Sequence, residues 1–255
     1  MDHANDVTYG DYLAVPALLQ LQQPRSKPEH PDELLFIVVH QASELWFKVL
    51  LHEFDQLIER LQARDALAAL ATMRRINALT RIVAAQLSAL DTLPPQRFAE
   101  FRGYLGTASG GQSFQFRAIE AASGLRDDHF MAVLREHGAI PEEVQRMLAR
   151  PTLQSLFLDL LASRGVSLEA VYADPAVSDL FLLAESLIEY EQGFGLWRFL
   201  HVQMVERIIG PQTTGTGGTL GSKYLQRTLS QRFFPRLWEV RAQFFGGASP
   251  GSAAR

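Results

Sequence analysis

Apolar residues recur along this chain three and four positions apart, the period of a helix, and nowhere with the strict alternation of a strand. The stretch Glu33 to Phe54 carries Leu34, Ile37, Val38, Leu45, Val49 and Phe54 at that spacing, with Phe36 and Phe47 beside them, which predicts a largely buried helix. Phe36, His40, Glu44 and Phe47 share one stripe of it. An imidazole among aromatic rings serves either as a satisfied core group or as a face toward a ligand, and the helix alone leaves both open. A second long helix is predicted from Asp65, which can cap it, to Leu90, with Leu67, Leu70, Met73, Ile76, Leu79, Ile82, Val83 and Leu87 in phase.

Pro94 and Pro95 end that segment and open a shorter one, PPQRFAEFRGYL, where Phe98, Arg102 and Leu105 fall at i, i+4 and i+7. An arginine on an apolar stripe must meet an anion or reach water. Gly106 to Ser113 is a loop by composition and leads into a helix that Gly124 can stop. Three short helices are expected over Asp127–His137, Pro141–Arg150 and Pro151–Arg164, with no evident chemistry. A long one follows from Pro175 to Ile209, stopped by Gly210–Pro211. Phe194, Trp197, His201, Met204 and Ile208 follow one face of it, so His201 is the second histidine buried by pattern.

The loop Pro211 to Ser222 is the most glycine-dense part of the chain and precedes a helix beginning near Lys223. Its N–H groups and threonine hydroxyls suit an anionic group, but the spacing is not that of a phosphate-binding loop. At the N-terminus, Val7 to Leu21 reads as a turn and a helix interrupted at Pro16, with Tyr9 and Tyr12 near a chain end that needs something to capture it. The residues after Phe245 read as a disordered tail.

Composition narrows the chemistry. The chain has 255 residues, 47% hydrophobic and 20% charged, which is globular material with room for a substantial core. A net charge of -4 offers no long-range attraction for nucleic acid or an anionic membrane. No apolar run exceeds the six residues of Leu34–Val39, far short of a membrane span, and the first residues lack the pattern of a secretory signal; a cytoplasmic protein is expected. Cysteine is absent, which removes disulfides, zinc–thiolate sites, iron–sulfur clusters and cysteine nucleophiles. No Glu-x-x-His occurs, so a ferritin-like di-metal site is discounted. An all-α chain with two aromatic-flanked histidines on distant helices suits a haem held by one axial histidine.

Five blocks carry a resemblance: TYGDYL, HQASELWFK (His40–Lys48), FRGYLGTASGGQSFQFR (Phe101–Arg117), LWRFLHVQMVERIIG (Leu196–Gly210) and GTGGTLG (Gly215–Gly221). In order and content they resemble the tryptophan 2,3-dioxygenase family, over most of the chain. The resemblance implies an all-α haem-binding domain over residues 1–245. Its arm, residues 1–30, would reach a neighbouring subunit of a homotetramer. It makes His201 the proximal ligand of haem b iron, with Trp197 and Ser109 beside the cofactor. His40 and Ser109 would stand on the distal, catalytic side. Phe36, His40, Phe98, Arg102, Leu105, Thr216, Tyr9 and Tyr12 would bind substrate, Arg102 through its carboxylate. The expected reaction inserts O2 across the indole C2–C3 bond of L-tryptophan to give N-formylkynurenine. The stretch Gly124–Asp174 is shorter than is typical, Gly111 stands for an aromatic residue, and Ala118 for a commonly acidic one. These departures leave room for a relative acting on a modified tryptophan, such as a β-methylated one, with one oxygen inserted to give an oxindole. A non-catalytic haem sensor would keep His201 but has no use for Arg102 and Thr216.

Overall fold

The computed structural model describes residues 7–126, 140–213 and 222–246. Every regular element among them is helical, as the periodicity requires. The N-terminal arm holds two single turns, α1 (Tyr9–Tyr12) and α2 (Val15–Leu18). Pro16 does not interrupt a helix there; it stands in the first turn of α2, where its missing N–H costs nothing. The long α3 (Glu33–Gln62) outruns the expected end at Phe54, because Leu57, Ile58 and Leu61 continue the apolar spacing. Next come α4 (Ala66–Gln86), whose cap Asp65 accepts the Ala68 N–H, and a 3-10 turn over Leu87–Thr92. The short α5 (Pro95–Arg102) runs into a 3-10 turn at Gly103–Leu105. Ser113 caps α6 (Phe114–Ser123), and Gly124 ends it at φ 104°, a left-handed conformation that disfavours a side chain.

The remaining helices are α7 (Glu142–Ala149), α8 (Leu153–Ser163), α9 (Leu168–Ala173), α10 (Ser178–Ile209), α11 (Ser222–Thr228) and α12 (Pro235–Gln243). Two of them, α9 and α12, went unanticipated; at 6 and 9 residues their apolar spacing is too brief to stand out. The expected helix over Asp127–His137, the loop carrying Thr216 and the tail beyond Gly246 lie outside the described residues.

Three long helices make the frame, with α4 lying between α3 and α10 and packing along both. The α4–α10 approach is close: a Cβ at Gly193 would stand 3.2 Å from Thr80 Cγ2, tighter than ordinary van der Waals contact. The large core is built on Phe54, Leu57, Met73, Ile76, Leu183, Leu187 and Tyr190. A second, smaller apolar cluster joins Val39 of α3, Leu87 and Leu90 of the 3-10 turn, Phe98 and Phe101 of α5, and Met204 and Ile208 of α10. It positions the site.

One expectation about α3 is corrected. Leu34, Val38, Leu45 and Val49 are 38–54% exposed, not buried. The first half of α3 is apolar on more than one side, and its neighbours cover only the stripe through Val39, Phe47, Leu50 and Phe54. Leu67 and Ile82 of α4 likewise face outward. Among the described residues, α3 is also long and apolar enough to cross a membrane by length and composition, yet it packs against α4, α6 and α8.

Candidate active site

The two histidines, 161 positions apart in sequence, come together. The charge of His40 on α3 disfavours a charge on His201 of α10, so the two rings share one electrostatic neighbourhood. His201 is half-buried, its ring stacked on that of Trp197 one turn earlier (centroids 5.0 Å, interplanar 17°). Burial first, then repulsion from His40 and Arg117, pushes its pKa down to about 4. The ring is therefore neutral near pH 7 and retains a lone pair. Among the described residues neither of its nitrogens has a hydrogen-bond partner.

His40 differs. Its Nδ1 lies 2.7 Å from the Phe36 carbonyl oxygen, which can only accept, so Nδ1 carries the proton and Nε2 is left as an acceptor. Its ring is tilted against Phe36 at 4.2 Å, and Phe36 meets Phe98 at 5.5 Å and Phe101 at 5.8 Å. Burial lowers the His40 pKa; the Phe36 hydrogen bond and the Glu44 carboxylate offset part of this. The residue is nonetheless exposed on its open side. It thus borders a space that protein surrounds and solvent reaches. Gln115 Nε2 donates to the Glu44 carbonyl (2.9 Å) and carboxylate (2.8 Å), tying the start of α6 to the His40 helix.

Phe98 is 5% exposed and belongs to the small apolar cluster, with Phe36 and Leu105 packed on it. Arg102 is half-buried in the last turn of α5, one turn beyond Phe98. Ser109, also half-buried, heads the 3-10 turn Gly110–Gln112, accepts the Gly111 N–H at 3.3 Å and donates its own N–H to Gln112. Its hydroxyl proton is free of those bonds. Tyr9 and Tyr12 are not brought to this site by their own chain: they are 78% and 81% exposed on α1.

The family model described as tryptophan 2,3-dioxygenase matches residues 1–156 and 143–244. The chain belongs to the tryptophan 2,3-dioxygenase family. It is 40% identical to the tryptophan 2,3-dioxygenase of Herpetosiphon aurantiacus, over 92% of this chain and 98% of that protein. The Anaeromyxobacter sp. (strain K) enzyme of that name is 40% identical over 94% of this chain and 97% of its own. For the Myxococcus xanthus enzyme the figures are 38%, 95% and 91%.

Tryptophan 2,3-dioxygenases are haem enzymes, and the residues here fit that group. A neutral imidazole without a partner is what iron requires of a protein ligand. The Trp197 indole N–H is buried with no hydrogen-bond partner among the described residues, an expensive arrangement for a donor that nothing uses. Beside His201 lies a buried ionic cluster in which Glu120 accepts from Arg117 (2.6 Å) and Arg198 (2.8 Å), two guanidinium groups to one carboxylate. Guanidinium groups at such a place are the donors that an anionic group such as a haem propionate takes. The sequence reading assigned nothing to Arg117 or to the Glu44–Gln115 pair. Arg117 closes one of the quoted blocks, but only the fold brings it beside His201.

Proposed function

We propose that this chain is a haem-dependent oxygenase that inserts both atoms of O2 across the indole C2–C3 bond of L-tryptophan, yielding N-formylkynurenine. What supports it is the pair His40 and His201: both neutral and close enough for the charge of one to act on the other, His201 with no hydrogen-bond partner among the described residues and His40 with Nε2 left as an acceptor. His201 would hold the iron, and Trp197 and Arg117 the propionates. When bound, haem supplies the ferrous iron that activates O2. All of the oxygen enters the product, so no outside reductant is needed.

The protein's part is recognition and orientation. Phe36, Phe98 and Leu105 form an apolar wall for the indole. His40 Nε2 accepts the indole N–H and fixes the ring plane. Arg102 receives the substrate carboxylate on its planar fork, a contact that separates an amino acid from its decarboxylated amine far better than an apolar slot does. Thr216 would meet the amino-acid end, and Ser109 can donate its hydroxyl proton on the distal side. Tyr9 and Tyr12 would complete a neighbour's site within a homotetramer, which accounts for two aromatic rings standing out from their own fold.

Purified holoenzyme given L-tryptophan or β-methyltryptophan under isotopically labelled O2 tests this. N-formylkynurenine with two labelled oxygens from L-tryptophan is the expected product. An oxindole with one labelled oxygen, formed from the β-methylated substrate alone, would overturn it in favour of the specialised relative.

A further inference from the structure

The segment carrying Arg102 is short. With 8 residues and no side-chain cap at Pro94, α5 lacks the length at which a helix holds itself in water, so its orientation comes from what grips it. Together with the 3-10 turn Gly103–Leu105 that continues it, its residues form two stripes. Phe98, Arg102 and Leu105 make one, and Arg97, Glu100, Phe101 and Tyr104 make the other, about 100° away around the axis.

The second stripe is held by the linker that precedes α3, at every one of its positions. Arg97 Nε donates to Asp32 at 2.7 Å. Glu100 accepts from His30 Nε2 at 2.8 Å. The His30 ring lies 5.1 Å from that of Phe101, which is fully buried. Tyr104 Oη donates to the Lys27 carbonyl at 2.9 Å. The Asp32 N–H donates to His30 Nδ1, so the proton of this ring is on Nε2, directed at Glu100. Asp32 caps α3 without using its side chain there; the carboxylate is given to Arg97.

The linker itself is anchored. Glu33 is 1% exposed and accepts from Arg25 N–H (2.7 Å), Ser26 N–H (3.0 Å) and Ser26 Oγ (2.5 Å), and Ser26 Oγ in turn accepts the His30 N–H at 2.8 Å. The grip on α5 is thereby referred to α3, the helix that carries His40.

We propose that Arg97, Glu100 and Tyr104 are positioning residues for substrate recognition: by holding the linker at Lys27–Asp32 they set the rotation of α5 about its axis, and so the aim of Arg102 at the amino-acid carboxylate. The inference rests on the carboxylate role of Arg102 proposed above. A bidentate charge-assisted contact depends on the plane of the fork, so a small rotation of α5 weakens it, while an apolar wall tolerates the same rotation.

The test uses haem-loaded protein, with ligand binding followed by the change in haem absorption. In Arg97→Ala/Glu100→Ala/Tyr104→Phe, the Kd for L-tryptophan is expected to rise about tenfold, the loss of about half of a charge-assisted pair. The Kd for tryptamine, which lacks the carboxylate, should stay within about twofold, and haem content should not change. Restoring position 100 as Gln, which still accepts from His30 Nε2, should recover part of the tryptophan affinity. Should the triple variant fail to fold, Tyr104→Phe alone removes one hydroxyl and should shift tryptophan about twofold with tryptamine unmoved. Equal losses for both ligands, or none for either, would overturn the proposal. Arg102→Leu run alongside separates the two readings: if it spares tryptophan selectivity, the carboxylate role itself fails.

Discussion

His40 and His201 carry the same ring, and their neighbours make them different. The Phe36 carbonyl fixes the His40 proton on Nδ1, whereas no described residue hydrogen-bonds His201, whose pKa is pushed to about 4. His201→Ala should abolish haem binding, measured as Soret absorbance per polypeptide; full retention would remove it as the iron ligand. His40→Ala should keep haem and weaken L-tryptophan about fivefold, the worth of one neutral hydrogen bond of about 1 kcal/mol. 1-Methyltryptophan has no indole N–H to offer, so its affinity should not respond to that substitution. A parallel loss for both ligands would mean that His40 acts through packing on Phe36 instead.

At the scale of elements, Glu33 holds the linker to α3 as a buried carboxylate. Burial alone raises its pKa, but hydrogen bonds from the Arg25 and Ser26 backbones and the Ser26 hydroxyl outweigh that and hold it below the ordinary 4.5. A carboxyl lowered on folding adds stability that is complete above the unfolded value and is lost as pH falls through the folded one. Glu33→Gln should therefore lower stability near neutral pH by about 1–3 kcal/mol and flatten the loss of stability below pH 4.5, read from urea unfolding midpoints across pH. An unchanged acid limb would show that the carboxylate is not held as described. The frame helices were legible because their apolar spacing runs for many turns; α9 and α12 were not, because so few residues carry no usable period.

At the scale of the whole molecule, much apolar surface faces outward: Tyr9, Tyr12, Leu19 and Leu21 on the arm, Leu34, Val38 and Leu45 on α3, Leu196 and Phe199 on α10. A subunit interface of the kind proposed above would cover such side chains. If Tyr9 and Tyr12 serve a neighbour's site, chains lacking residues 1–20 and chains carrying His201→Ala should each be inactive alone, and mixed oligomers should regain turnover. A truncated chain that is active alone would place the arm outside catalysis, and mixtures that stay inactive would confine its action to its own chain.

The helical class and the long helices were readable from sequence, and His40, Arg102 and His201 stood out there as candidates, since period-3.6 patterning and residue type are local properties. The side of α3 that would be covered was not readable, because its first half is apolar on more than one face and only the arrival of α4 and α6 chooses between them. Arg117 beside His201, the orphaned Trp197 N–H and the linker's grip on α5 join residues far apart in the chain. Spacing says nothing about such pairs, since the distance between them exists only after the helices have packed.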